Sequence, residues 1–85
     1  MGMVWQVIDD ADLMAEATNL ARKMAAGPTL SYAAIKQAMN RAGTNTLDQQ
    51  LDLERDSQRA LGKSADFKEG VAAFLAKRAA DFKGR

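Results

Sequence analysis

Three glycine-centred breaks constrain this chain more than any other feature: Gly27-Pro28, Gly43-Thr44-Asn45 and Gly62. Each closes a run in which apolar side chains recur at helical spacing. In the first run Leu13, Met14, Ala17, Leu20, Ala21 and Met24 share one face, and Arg22 and Lys23 stand near its end. In the second, Leu30, Ala33, Ala34, Ile35, Ala38, Met39 and Ala42 form the stripe, and Pro28 begins the segment where no N–H is needed. The third opens on Thr46-Leu47-Asp48-Gln49, which has the form of a capping box. It is polar, with Leu47, Leu51 and Leu61 on one side and Asp52, Glu54, Arg55, Asp56 and Arg59 spaced for ion pairs. The fourth has Ser64 and Asp66 as caps, then Phe67, Val71, Phe74 and Leu75 on one face. Lys77 and Arg78 complement its negative end, and Asp81 to Arg85 reads as a turn or a fraying tail.

Ahead of these runs, Met3 to Ile8 is bulky or β-branched apart from Gln6, which reads as a short strand ended by Asp9 and Asp10. Either carboxylate can cap the first helix. The expected fold is therefore all-α: a small bundle of about four helices over 10–26, 28–42, 46–61 and 64–78, preceded by a strand-like segment at 1–8, in a single domain 1–85.

A chain of 85 residues has a thin stability margin, because a domain this small buries only about 60% of its unfolded surface. The apolar fraction of 47% overstates the core, since 17 of those residues are alanine and a methyl group removes little area from water. Trp5, Tyr32, Phe67, Phe74 and Phe82 are the aromatics. Such a chain leaves an apolar face open, which predicts association or a missing domain, and so an oligomer. Met14, Met24 and Met39 lie on the helix stripes as gap-filling core.

The formal charge of +1 offers no global field for nucleic acid or an anionic membrane, although the segment from Lys63 onward is locally basic. A DNA-reading role for the Ser31-to-Arg41 helix, with Lys36 and Arg41, fails for want of a phosphate footprint. Without cysteine there is no disulfide or thiolate chemistry, and without histidine the commonest general base and metal ligand is missing. Asp9/Asp10 and Glu54/Asp56 are paired carboxylates, yet they read as caps and solvated faces. No catalytic or metal-binding residue is expected. The start carries neither a basic n-region nor a long apolar run, so a signal peptide and a membrane span are not expected, and a cytoplasmic protein is.

Residues Ser64, Asp66, Glu69, Gly70, Ala73, Phe74, Lys77, Arg78, Phe82 and Gly84 together resemble the closing signature of the enoyl-CoA hydratase/isomerase (crotonase) family. Weaker matches extend the resemblance along the chain: Gly2, Val4 and Val7; Leu13, Ala17, Leu20 and Ala21; Pro28 and Lys36; Leu51 and Glu54. The stretch Thr44 to Asp56 is similar to the branch acting in bacterial phenylacetate breakdown, a ring-epoxide acyl-CoA isomerase. Ala80 stands where many relatives carry proline, so the tail can continue helical rather than turn sharply.

Enzymes of that family are much longer than this chain, so the resemblance implies a C-terminal fragment, inactive alone, that serves oligomerisation and closes the CoA pocket. It implies a coenzyme A thioester as substrate carrier in the parent enzyme and no cofactor held by this chain itself. It implies the upstream catalytic domain as partner, with Trp5 a contact for it, in a trimer-based parent. For the fragment, a dimer or swapped oligomer is expected. It points to Phe74 and Lys77 as contacts for the adenine and 3′-phosphate of coenzyme A. Beside that stands the packing reading, in which Phe74 belongs chiefly to the core stripe and Lys77 is a last-turn cation. The rival functional reading is a stand-alone helical interaction module whose open apolar face holds a partner helix.

Overall fold

The computed structural model describes residues 2–85, and Met1, at the head of the expected strand-like segment, lies outside the described residues. Four helices follow one another: α1 (Leu13–Ala25), α2 (Thr29–Ala42), α3 (Leu47–Leu61) and α4 (Ala65–Ala76). The chain is all-α, and no strand forms among the described residues. The expected strand at Met3 to Ile8 is corrected to an unpaired segment, with Trp5 86% exposed. The physical reason is that one strand has no ladder partner to satisfy its backbone.

Helix α1 begins three residues later than its sequence pattern implies. Asp9 and Asp10 act through their backbone carbonyls, accepting from the N–H groups of Asp12 (2.9 Å) and Leu13 (3.4 Å), and Asp12 occupies the N-cap without a side-chain bond. Pro28 precedes α2 and supplies its carbonyl to Ser31 (2.9 Å) and Tyr32 (3.2 Å). Gly27 lies directly beneath the Tyr32 ring, a close approach that leaves no room for a Cβ unless the ring moves.

The capping box of α3 is formed in full: the Gln49 N–H donates to Thr46 Oγ1 (3.2 Å), and the Thr46 N–H donates to Gln49 Oε1 (2.9 Å). Its packed face differs from the one the leucine spacing suggests. Leu47 and Leu51 are exposed, whereas Gln50, Leu53, Ser57 and Leu61 are the half-buried positions. Gln50 decides this register, since it accepts from Asn45 Nδ2 (3.0 Å) and donates to the Ala38 carbonyl of α2 (3.0 Å). Arg55 pairs with Asp52 (3.1 Å) and Asp56 (3.0 Å) on the outer side, where exposure leaves each pair little net effect.

Only α2 and α3 pack closely along their length among the described residues. The radius of gyration is 16.3 Å, against roughly 12 Å for a compact domain of this length. The molecule is a slab of 46 × 38 × 19 Å. It exposes 7323 Å², about 2,400 Å² more than a compact monomer of its mass. Among the described residues Ala73, at 2% exposure, is the one apolar side chain counted as buried, so the expected methionine stripe stays open: Met14, Met24 and Met39 are all exposed. No described helix is long and apolar enough to cross a membrane.

Candidate functional site

The most organised part of the slab is α4 with the segment that follows it. Ser64 Oγ accepts from the Phe67 N–H (3.1 Å) and donates to the Leu61 carbonyl (2.7 Å), so one hydroxyl ends α3 and starts α4. Helix α4 stops at Ala76, two residues short of the sequence expectation. Lys77 adopts the left-handed conformation, φ 55° and ψ 42°. Its N–H donates to the Phe74 carbonyl (3.2 Å) and the Arg78 N–H donates to the Ala73 carbonyl (3.0 Å), the paired bonds of a Schellman reversal.

Glycine is the usual residue at such a position, because a Cβ there costs about 1–2 kcal/mol. Gly43 and Gly62, expected as helix stops, sit at C-caps with ordinary right-handed φ of −73° and −63°. The chain thus places its strained helix end on a lysine rather than on a glycine.

After the reversal the tail runs back along α4, which corrects two expectations at once. It is neither a helical continuation through Ala80 nor a fraying end. Two carboxylates one turn apart on α4 hold it. Glu69 accepts from Arg78 through both oxygens (2.6 and 2.9 Å) and from the Asp81 N–H (3.0 Å). Asp66, 4% exposed, accepts from the N–H groups of Lys83 and Gly84 (2.8 Å each), while its own N–H donates to the Arg85 carbonyl (2.8 Å). Asp66, read from sequence as a cap, is therefore a tail anchor.

Hydrogen bonding from Arg78, and next from the Asp81 N–H, holds the Glu69 carboxyl down at about 2. Glu69 correspondingly raises Arg78. Lys83 pairs with Asp81 (2.9 Å), and Lys77 has no ion-pair partner among the described residues.

The clasped tail delivers Phe82 onto α4 over Gly70, where a Cβ would meet Phe82 Cε1 at an ordinary contact distance of 3.6 Å. Phe82, Phe67, Val71, Phe74 and Leu75, with Leu30 of α2 and Leu61 of α3, line an open apolar groove of about 390 Å³. Phe74 is 82% exposed on its rim, so its expected core role is not met within this chain. Lys77 is exposed and lies outside the groove lining. The two candidate residues therefore sit on one helix end but do not share a pocket. Sequence reasoning missed the anchoring roles of Asp66 and Glu69. The available signal was an i, i+3 acidic pair followed by a basic segment, a pattern equally compatible with capping.

The family model described as enoyl-CoA hydratase/isomerase matches residues 1–85. The chain is 60% identical over 84 residues to 1,2-epoxyphenylacetyl-CoA isomerase of Escherichia coli strain K12, covering 99% of this chain and 32% of that protein. It is 44% identical over 85 residues to a Rhodobacter capsulatus protein named "Probable enoyl-CoA hydratase", covering 33% of it. The fold is similar to the crystal structure of an enoyl-CoA hydratase from Polaromonas sp. JS666, with a TM-score of 0.88 and 36% identity over 96% of this chain and 32% of that one. The chain spans about a third of the length of the relatives it matches.

Proposed function

This chain belongs to the enoyl-CoA hydratase/isomerase family, and we propose that it is the C-terminal helical region of an enzyme acting on acyl-CoA thioesters. Its own part is assembly of the oligomer and closure of the CoA end of the pocket. The surface excess of about 2,400 Å² carries this reading, because it exceeds the ~800 Å² that each partner contributes to an ordinary interface. Excess on that scale fits a region that completes its folding against other parts of a larger enzyme.

In this reading Phe74 and Lys77 meet the nucleotide end of coenzyme A. The exposed ring of Phe74 offers a stacking face and Lys77 a point charge for phosphate. The N–H groups that hold a thioester oxyanion, and the carboxylates that move protons, belong to the upstream part. The high identity to the E. coli isomerase, and the Thr44-to-Asp56 stretch, support a ring-epoxide acyl-CoA as the substrate of the whole protein.

The experiment compares the 85-residue chain with the full-length enzyme that contains it. The full-length enzyme is expected to turn over 1,2-epoxyphenylacetyl-CoA in preference to crotonyl-CoA. The isolated chain is expected to turn over neither, and to show no CoA binding by calorimetry at micromolar concentration, since one phosphate contact does not offset the entropy of association. Micromolar CoA binding by the isolated chain, or turnover by it, contradicts the proposal.

A further inference from the structure

A left-handed lysine persists only where its surroundings over-determine it, and such residues gather at ligand clamps and switch regions. Around Lys77 the over-determination is visible. On its N-terminal side are the two Schellman hydrogen bonds to Ala73 and Phe74. On its C-terminal side Arg78 is held by both oxygens of Glu69, and the same carboxylate takes the Asp81 N–H. Glu69 thus holds the segment leaving Lys77 at two points, Arg78 and Asp81, nine and twelve residues away in sequence.

The charges follow the same arrangement. Glu69 neutralises Arg78 and Asp81 neutralises Lys83, while Lys77 keeps no ion-pair partner among the described residues.

We propose that Glu69 is a positioning residue for coenzyme A. Through Arg78 and Asp81 it holds Lys77 in its left-handed turn and so sets the direction in which the side chain leaves the backbone toward the nucleotide phosphate. This inference rests on the reading of Lys77 as a CoA contact. Glu69 itself touches no substrate in it: both carboxylate oxygens are already occupied by Arg78 and the Asp81 N–H. Its effect is confined to the nucleotide half of the substrate.

The test uses the full-length enzyme with Glu69→Gln, Lys77→Ala and the double variant, each assayed with acyl-CoA and with the same acyl group on pantetheine, which lacks the nucleotide. The readout is the ratio of the two KM values. Lys77→Ala is expected to raise that ratio roughly two- to fivefold, the range for an exposed charge contact. Glu69→Gln is expected to raise it by a comparable factor, and the double variant to raise it no further than Lys77→Ala alone, because the two act through one contact.

A Lys77→Ala ratio equal to wild type defeats the CoA reading and this inference with it. A raised ratio for Lys77→Ala beside an unchanged one for Glu69→Gln defeats the inference alone. So does a Glu69→Gln effect that is equal for both substrates, which marks a merely structural role. Should Glu69→Gln fail to fold, Arg78→Lys, which keeps the charge but loses the two-pronged bond, tests the same link with the same outcomes.

Discussion

Asp66 accepts the N–H of Gly84 at 2.8 Å, and Gly84 can present that N–H because it sits at φ +77°, a conformation in which a side chain would be strained. A Cβ there would also lie 3.0 Å from Thr29 Oγ1, so the same glycine brings the tail against the start of α2. Three elements distant in sequence meet at this one backbone turn.

Asp66→Ala removes the acceptor for both Lys83 and Gly84 from a buried position. Loss of these two charge-assisted bonds is expected to cost about 2–3 kcal/mol. Amide exchange should show Lys83 and Gly84 losing protection while α3 keeps its own. Unchanged protection at these two amides would refute the clasp.

The Glu69 anchor has a defined pH window. Its carboxyl is lowered from 4.5 to about 2 in the folded chain, chiefly by Arg78. A depressed folded value means that the contribution is present above the unfolded value and is lost as pH falls from about 4.5 to about 2. The Asp81 amide should therefore begin to exchange faster within that window, and Glu69→Gln should abolish the transition.

Gly70 lies inside α4, where glycine disfavours the helix by about 1 kcal/mol relative to alanine. A Cβ at this position meets Phe82 at ordinary van der Waals distance, 3.6 Å, and nothing closer. Gly70→Ala is expected to stabilise the fold by about 0.5–1 kcal/mol in thermal unfolding. A lower melting temperature would show that the Phe82 ring cannot accept the methyl group.

Thr46 satisfies one N–H of α3 with its hydroxyl and presents its own N–H to Gln49. Thr46→Ala is expected to cost about 1 kcal/mol and to lower the helical circular dichroism signal. An unchanged melting curve would mean that the Gln50 bridge to α2 alone holds the start of α3.

The open groove around Phe67, Phe74 and Phe82, together with the exposed Trp5 segment, should make the isolated chain self-associate. Light scattering is expected to show mass rising with concentration, and Trp5, the single tryptophan, should shift its emission to the blue. A monodisperse monomer at high concentration contradicts this.

Much of the fold was legible from local signals. Thr46/Gln49 and Ser64 are caps whose chemistry is complete within four residues, and the apolar stripes of α1, α2 and α4 repeat at the helical period. The register of α3 was not legible, because Gln50 chose it through the Ala38 carbonyl, a partner twelve residues away. Residues Met3 to Ile8 carry the composition of a strand, yet strand formation depends on a neighbour and none lies among the described residues.

By itself, then, the sequence determined four helices, most of their ends and the family to which they belong, since these depend on short-range hydrogen bonding and residue pattern. The tertiary structure alone decided that Asp66 binds the tail rather than caps a helix, that Glu69 binds it as well, and that Lys77 takes the left-handed turn. The physical reason is that a carboxylate accepts equally well from a near amide and a distant one. Which of them it meets is settled only when the chain has folded back far enough to offer Arg78, Asp81, Lys83 and Gly84.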